Sequence, residues 1–365
     1  MRRSVAFLAF VLVGCSQSQP AAAVSVSPSA GITSPASSSS PNAVANLPIT
    51  RVDFSCRLPV VIATGAGDGI TYQGGFLSFP DATLTPDPNG LMYSRYLEQD
   101  FATAASPILH GFGGYPFYDR GESRWVPAPA QQALPDGSAY AYATTKPQTN
   151  ATKLYIVRVG SGSVRTFDIT SPDLPQIADY IPNGVYAISG SALGGPGEGV
   201  WLLSPVTGAV TQSWAIHRVW TVRDGYAWVA RFDPRDKTTW PPVELAPANS
   251  LVRIDLATGA ETEWFYQAGT YPWLIGLDSK DRPIVLTGVN GTNEVRLIDQ
   301  PGSAGQLIYS GQGPMGAIQA DGDRLWFGGQ DGVFLYTSSR GLQKVSPFSA
   351  DPMTSSSIQP AGFCL

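Results

Sequence analysis

The run SLVRIDL alternates apolar and polar residues in the way that a half-buried β-strand does. Val252, Ile254 and Leu256 fall on one side of the predicted strand. Arg253 and Asp255 fall on the other side, as the two-residue period of a strand requires. No segment of the chain places apolar residues at sustained helical spacing. The pattern therefore predicts an all-β protein.

The same strand pattern recurs five times from about residue 130 onward. Each unit opens with a turn signal, and two apolar or aromatic runs, a Gly-bearing turn and a third run follow it. With the strand that leads into the first turn, each unit offers four short strands. The period of about 40 to 57 residues lies within the range of propeller blades once loop insertions are allowed. The turn signals are Pro135-Asp136-Gly137, Pro182-Asn183-Gly184, Arg223-Asp224-Gly225, Ser279-Lys280-Asp281 and Ala320-Asp321-Gly322.

Segments such as NSLVRIDLATGAETEWF resemble the outer strands of a β-propeller blade, and the repeat is similar in architecture to propeller proteins. The resemblance covers about residues 50 to 365. It implies a fold and does not imply one activity. Five units fill the chain from 130 to about 347, which leaves one blade to be completed.

The sixth blade must draw on both ends of the chain. GGFLSFP (74–80), YPFYDR (115–120) and RWVPAP (124–129) are expected to supply three of its strands. The fourth strand comes from CRLPVVIAT or from the chain end, so that strands from both termini close the ring. Seven blades remain possible because 97–114 is long, and a two-sheet sandwich is the alternative fold.

The first fifteen residues, MRRSVAFLAFVLVGC, have the organisation of an export signal. Arg2 and Arg3 form a basic start, and the apolar stretch 5–13 falls well short of the roughly 20 residues that span a bilayer. The ending LVGC resembles the lipobox of bacterial lipoproteins. That resemblance implies cleavage before Cys15, a diacylglycerol on its sulfur and a fatty acid such as palmitate on its freed amine. The alternative is an ordinary secretory signal in which Cys15 is incidental.

The stretch 16–46 is rich in Ser, Pro and Ala and carries almost no charge, which is typical of a flexible tether. The alternative is that it is an unselected spacer. The predicted organisation is a signal peptide (1–14), a lipidated tether (15–50) and a propeller domain (51–365). We expect the protein to be lipid-anchored on the extracytoplasmic side of a cell membrane.

Composition and charge narrow the choice of partner. Hydrophobic residues make up 43% of the chain and charged residues 14%, so there is enough apolar material for a large core. Losing Arg2 and Arg3 with the signal takes the formal net charge from −5 to −7. A mildly acidic surface without a basic run repels phosphate backbones, so nucleic acid is not an expected partner. We expect a monomer.

Two cysteines remain once Cys15 is lipidated, and they stand at opposite ends of the predicted propeller. An exported protein meets oxidising conditions, so a bond between Cys56 and Cys364 is expected. In the chain-entropy model, a loop this long contributes about 4–5 kcal/mol. The alternative is two buried free thiols.

The candidate ligand contacts lie in connections on one face of the ring. In a propeller, the connections between blades and those between second and third strands open on the same face. The long connections predicted there are 145–153, 189–199 and 233–249. Aromatic faces beside a guanidinium suit a sugar ring, a peptide or a quaternary amine, whereas blade-to-blade packing is the alternative role for Trp220 and Trp273. The candidate residues are His217, Arg218, Trp220, Trp240, Tyr271 and Trp273.

Catalytic and cofactor motifs are absent from the sequence. The chain has two histidines and no HExxH, cysteine cluster, Gly-x-Ser-x-Gly elbow or phosphate loop, so no metal and no cofactor is expected. The best acid/base pairing is His217 with Glu198 or Asp233. The favoured function is a binding or interaction module for an unknown small molecule, glycan or protein on the loop-rich face. The alternative is a lyase or glycosidase over the central channel.

Overall fold

Antiparallel strands arranged as a six-bladed β-propeller make up the computed structural model, which confirms the predicted fold class. Within the described residues, the one helical element is a 3-10 turn at Ala130–Gln132. None of the described segments forms a helix with the length and hydrophobicity of a membrane span. The described residues are 47–65, 71–93, 115–146, 151–170, 175–189, 196–235, 248–289, 292–311, 318–348 and 356–365.

Blade 1 combines the two ends of the folded chain. It contains β1 (Cys56–Thr64), β2 (Thr71–Phe79), β3 (Thr83–Tyr93) and the C-terminal strand β25 (Ser357–Pro360), in the order β25-β1-β2-β3. Strand β25 takes the innermost position, next to blade 6. This arrangement confirms that strands from both termini close the ring.

A two-stranded hairpin follows blade 1, and here the sequence-based assignment was wrong. The segments 115–120 and 124–129 do not join the sixth blade. They form β4 (Phe117–Asp119) and β5 (Arg124–Val126), which pair with each other. Trp125 packs in the apolar cluster of blade 1 and its neighbour Val126 in that of blade 2, so the hairpin is a wedge between the two blades.

Blade 2 consists of β6 (Ala139–Lys146), β7 (Ala151–Arg158) and β8 (Val164–Ile169). A bridge between Ala133 and Tyr140 places the segment after the 3-10 turn on the inner side of β6. The connection expected at 145–153 is shorter than the sequence suggested, because β6 and β7 stay paired as far as Lys146 and Ala151.

Blades 3 to 6 each use four consecutive strands, and the first strand of each is the innermost. These strands are, in order, β9 (Pro175–Ile181), β10 (Gly184–Ser189), β11 (Glu198–Leu203), β12 (Val210–Trp214), β13 (Val219–Arg223), β14 (Tyr226–Arg231), β15 (Ser250–Asp255), β16 (Glu261–Tyr266), β17 (Trp273–Leu277), β18 (Pro283–Val289), β19 (Thr292–Leu297), β20 (Gln306–Gly311), β21 (Ile318–Asp321), β22 (Arg324–Gly328), β23 (Gly332–Thr337) and β24 (Gly341–Pro347).

The repeated turn signals connect the first strand of each unit to the second, as predicted. In blade 4, Asp224 and Gly225 form the turn with φ of 49° and 80°. Two left-handed residues in a two-residue hairpin match the right-handed twist of the paired strands, which explains the Asp-Gly sequence. We call the face that carries these turns the lower face. The upper face carries the connections between blades and those between second and third strands.

Each seam between neighbouring blades has its own apolar cluster. In β18, Ile284 and Leu286 pack towards blade 6, whereas Val285 packs towards blade 4. Both sides of a strand such as β18 are therefore buried, and apolar residues follow one another along it almost without interruption. Between blades 6 and 1, Phe54 packs against Phe79 and Trp326. Apolar burial between rigid sheets is thus the main force that holds the ring together.

Candidate functional site

The turn that enters blade 4 on the upper face is held by backbone hydrogen bonds. Gly197 and Val219 donate to each other's carbonyl oxygens at 2.7 Å, and Gly199 donates to Ile216 at 2.6 Å. These bonds join the end of the 189–199 connection to the start of β13. They show that a connection between second and third strands and a connection between blades do meet on one face.

Arg218 adopts a left-handed backbone conformation in this turn, with φ of 58°. Its carbonyl accepts a hydrogen bond from the Ala230 amide at 2.9 Å, and the His217 carbonyl accepts one from Arg231 Nη1 at 3.1 Å. A left-handed conformation costs a non-glycine residue about 1–3 kcal/mol and persists only when the surroundings fix it. The turn therefore presents the His217 and Arg218 side chains in a defined geometry.

Three aromatic rings meet at the upper end of the seam between blades 4 and 5. The ring centroid of Trp220 lies 5.8 Å from that of Trp273 and 6.1 Å from that of Tyr271. The centroids of Tyr271 and Trp273 are 5.9 Å apart. These separations are ordinary contact distances between aromatic side chains. The three residues form one packed cluster.

The members of this aromatic cluster differ greatly in exposure. Trp220 is 8% exposed and belongs to the apolar core of the seam, whereas Trp273 is 46% exposed. The Trp220 indole Nε1 has no hydrogen-bond partner among the described residues, which is uncommon for a buried Trp. The structure therefore gives Trp220 a packing position and gives Trp273 a surface that a ligand can contact.

Arg218 lies close enough to the cluster for its charge to act on Tyr271. Burial raises the pKa of the Tyr271 hydroxyl, and the positive charge of Arg218 opposes that effect. Tyr271 and Arg218 are each half-buried. A positive charge thus acts on one ring of the cluster in a protein that is acidic as a whole.

His217 contacts Glu198 on the same face, one of the two acid/base pairings considered from the sequence. His217 Nδ1 lies 2.5 Å from Glu198 Oε2, and the two side chains are 80% and 58% exposed. Asp233, the other nominated partner, binds Arg235 instead, with 2.7 Å between Arg235 Nε and Asp233 Oδ2. The exposed His217–Glu198 pair can exchange hydrogen bonds with a ligand on this face.

Two residues that the sequence reasoning missed fix the base of the 233–249 connection. The Asn249 side chain accepts from the Asp233 amide at 2.6 Å and donates to the Asp233 carbonyl at 3.0 Å. Arg235 also pairs with Glu263 and lies over the Tyr266 ring, 4.3 Å from its centroid. No sequence signal marks them. Asn249 meets Asp233 only when the second and third strands of blade 4 pair, and Arg235 meets Glu263 and Tyr266 only when the fourth strand is in place.

The structure brings together five of the six predicted ligand contacts, at the entrances to blades 4 and 5: His217, Arg218, Trp220, Tyr271 and Trp273. The sixth, Trp240, lies outside the described residues, as does Cys15. The expected disulfide between Cys56 and Cys364 is present, with Cα atoms 5.5 Å apart. Across the described part of the chain, no three His, Cys, Asp or Glu side chains are grouped to hold a metal ion.

Comparison with known proteins identifies only similar folds. No protein-family model matches the chain, and no curated protein matches it. The β-propeller domain of the Trilobed protease from Pyrococcus furiosus is 10% identical, with a TM-score of 0.41 over 80% of this chain and 86% of that chain. A catalytically inactive virginiamycin B lyase from Staphylococcus aureus, solved with quinupristin, is 11% identical, with a TM-score of 0.38 over 86% and 99%.

TolB from Acinetobacter baumannii is 9% identical, with a TM-score of 0.33 over 84% of this chain and 81% of that chain. At these identities and TM-scores, the neighbours say nothing about a ligand or a reaction for this chain. Its function has to be inferred from its own residues.

Proposed function

We propose that this propeller is a membrane-anchored, extracytoplasmic binding module whose ligand contacts the upper face at the seam between blades 4 and 5. The observation that carries the proposal is Trp273. This Trp is nearly half exposed, yet it is held in place by Trp220 and Tyr271. A preorganised aromatic side chain in a ring-shaped scaffold contributes binding energy with little loss of side-chain entropy.

The anchoring part of the proposal rests on the LVGC sequence ending at Cys15 and the Ser/Pro/Ala-rich stretch after it. Strand β1 begins on the lower face, opposite the candidate site. Replacing Cys15 with Ser should abolish labelling with a radioactive fatty acid in a bacterial host, and continued labelling would contradict the anchor.

A thermal-shift screen of the purified protein tests the binding site. The panel contains oligosaccharides, short peptides and small organic acids. The shift caused by a hit should disappear in Trp273→Ala and weaken in His217→Ala and Tyr271→Ala, because each removes a contact on the upper face. Tyr226→Ala is the matched control, since Tyr226 is an exposed aromatic residue that follows the lower-face turn of blade 4.

The control also defines failure of the proposed site. A hit that needs Tyr226 and ignores Trp273 would place binding on the lower face. Unfolding of Trp273→Ala, His217→Ala and Tyr271→Ala without ligand would make these residues packing groups and would contradict the proposal.

A second candidate function, a lyase or glycosidase with its site over the channel, is favoured by the His217–Glu198 contact alone. A carboxylate that accepts from Nδ1–H leaves Nε2 as the nitrogen that can take a proton from a substrate. In that case Glu198→Gln should abolish conversion of a bound hit while leaving its affinity nearly unchanged. Binding without conversion in the wild-type protein would favour the binding module.

A further inference from the structure

A positive charge near the aromatic cluster disfavours a cationic ligand. A quaternary ammonium ion bound by aromatic side chains lies within about 6 Å of the ring centroids. In this protein the centroids of Trp220, Tyr271 and Trp273 are 5.8–6.1 Å apart, so the rings contact one another. The positive charge of Arg218 acts on Tyr271 and would repel such a cation.

The same packing leaves a single platform for contact. Trp220 is buried behind the cluster and Tyr271 is half-buried, so the exposed part of Trp273 is the largest aromatic surface available. The other two rings meet each other and Trp273 at interplanar angles of 40° to 78°. They restrict rotation of the indole. A braced indole of this kind suits stacking against one face of a ring-shaped ligand.

Polar and charged groups lie on the same face as the platform. The Arg218 backbone is held in a left-handed conformation that glycine would adopt without cost, and its positive charge acts on Tyr271. A guanidinium can bind a carboxylate through two parallel hydrogen bonds. The exposed His217–Glu198 pair adds donors and acceptors suited to the several hydroxyl groups of a sugar ring.

We infer that the site on the upper face takes an acidic sugar residue, whose ring stacks on Trp273, whose carboxylate meets Arg218 and whose hydroxyls meet His217 and Glu198. The inference rests on the proposed binding function and narrows it to one ligand class. Such residues occur in acidic polysaccharides outside the cytoplasm, where the export signal is expected to deliver the protein.

Calorimetry with two matched probes tests the inference. Trigalacturonate carries three carboxylates, and its methyl ester has the same rings without the charges. We expect trigalacturonate to bind at least about tenfold more tightly than the ester, since a factor of ten corresponds to about 1.4 kcal/mol, the scale of one charge-assisted hydrogen bond. Tetramethylammonium chloride should not bind.

Variants separate the contribution of the carboxylate contact from that of ring stacking. Arg218→Gln should reduce trigalacturonate affinity to that of the ester without changing the ester. Arg218→Gly should have the same effect on trigalacturonate binding. This variant should stay folded, because glycine adopts the left-handed backbone conformation without strain. Trp273→Ala should lose both probes, and Tyr226→Ala should lose neither.

Three outcomes would overturn the inference: equal affinity for the acid and its ester, an Arg218→Gly variant that binds trigalacturonate like the wild type, or binding of tetramethylammonium that depends on Trp273. Failure of the inference can be told apart from failure of the proposed function. If a peptide from the screen binds in a Trp273-dependent way while both galacturonates fail, the binding site stands and the ligand class is wrong.

Discussion

Asp179 is a buried carboxylate on β9 of blade 3 whose partners belong to the next blade. It accepts a hydrogen bond from the Asp224 amide at 3.0 Å, and Arg223 Nη1 lies 3.9 Å away. Burial raises the pKa of Asp179 to about 6, although the hydrogen bond and Arg223 oppose this effect. Arg223 Nε also lies 3.8 Å from Asp281 Oδ1 of blade 5, so Arg223 links blades 3, 4 and 5 on the lower face.

The raised pKa of Asp179 predicts that this group favours folding in acid. In the folded protein the pKa is about 6, above the ordinary value of 3.8, so the folded state binds the proton more tightly. The stabilising contribution is complete below about pH 4 and is lost as the pH rises through 6. The free energy of unfolding of Asp179→Asn, relative to that of the wild type, should therefore rise by up to about 3 kcal/mol between pH 4 and pH 7. The reason is that the wild type loses this contribution as Asp179 ionises, whereas the variant does not.

Urea unfolding of wild type and Asp179→Asn at pH 4.5 and 7.5 measures this difference. Asp323→Asn is the control, because it removes an exposed carboxylate from the lower-face turn of blade 6. If the difference between Asp179→Asn and wild type is the same at both pH values, the burial argument fails.

The sequence could locate aromatic residues at the seam between blades 4 and 5 but could not show which of them is buried and which is exposed. Trp220 and Trp273 both lie within the first two residues of a first strand, and neither short strand shows in its sequence which side faces the seam. Their burial differs because Trp220 faces into the seam, where residues of β15, β16 and β18 cover it, whereas Trp273 stands at its rim. Those neighbours are up to about 65 residues away in sequence, beyond any local pattern.

The hairpin formed by β4 and β5 shows the same limit for a whole element. Its two short segments have the composition of blade strands, so the sequence placed them in the closing blade. The deciding feature is the shape of the seam, because Trp125 lies flat against β2 at Gly74 and donates from Nε1 to Asp87 Oδ2 at 3.0 Å. Blades 3 to 6 were predicted correctly, since each closes on consecutive strands with a recognisable turn.

Gly74 is the position on which this wedge depends. A Cβ atom added there would lie 2.5 Å from Trp125 Cε2, which is closer than real contacts allow. Gly74→Ala should displace the indole and lower the free energy of unfolding by about 1–3 kcal/mol. Gly288→Ala is a matched control in strand β18, since a Cβ atom at Gly288 meets nothing within 4 Å.

Chemical denaturation compares the two glycine variants. The Gly74→Ala protein should also show a changed Trp fluorescence maximum in the folded state, because Trp125 loses its place in the seam. Equal midpoints for Gly74→Ala and Gly288→Ala would mean that the hairpin is not a tightly packed wedge.

The ring as a whole is held at blade 1 by both ends of the chain. Four residues of β25 pair with β1, from Val60–Pro360 to Ala63–Ser357, and beyond them Arg57 and Leu365 exchange backbone hydrogen bonds at 3.1 and 3.3 Å. The N-terminal segment adds a contact with blade 6, where the Thr50 amide donates to the Lys344 carbonyl at 2.7 Å. Two cysteines at opposite ends of the sequence were the signal that predicted this closure.

The disulfide between Cys56 and Cys364 should determine how firmly the ring stays closed. The pairing of a four-residue strand such as β25 contributes little stability by itself, and the disulfide bond spans 308 residues of sequence. In the chain-entropy model, losing the cross-link lowers the free energy of unfolding by up to about 5 kcal/mol. Release of β25 would also expose the inner side of β1 and the adjoining strand of blade 6.

The Cys56→Ser/Cys364→Ser double variant tests this closure without leaving a free thiol at either position. We expect a lower denaturation midpoint and faster amide hydrogen exchange at Ile358 and Ile62, because the short terminal strand detaches more often. Exchange in β14 of blade 4 should change less, since none of its partners comes from a chain end. Wild-type protein treated with a phosphine reductant should behave like the variant. An unchanged midpoint together with unchanged protection at Ile358 would show that non-covalent pairing alone closes the ring.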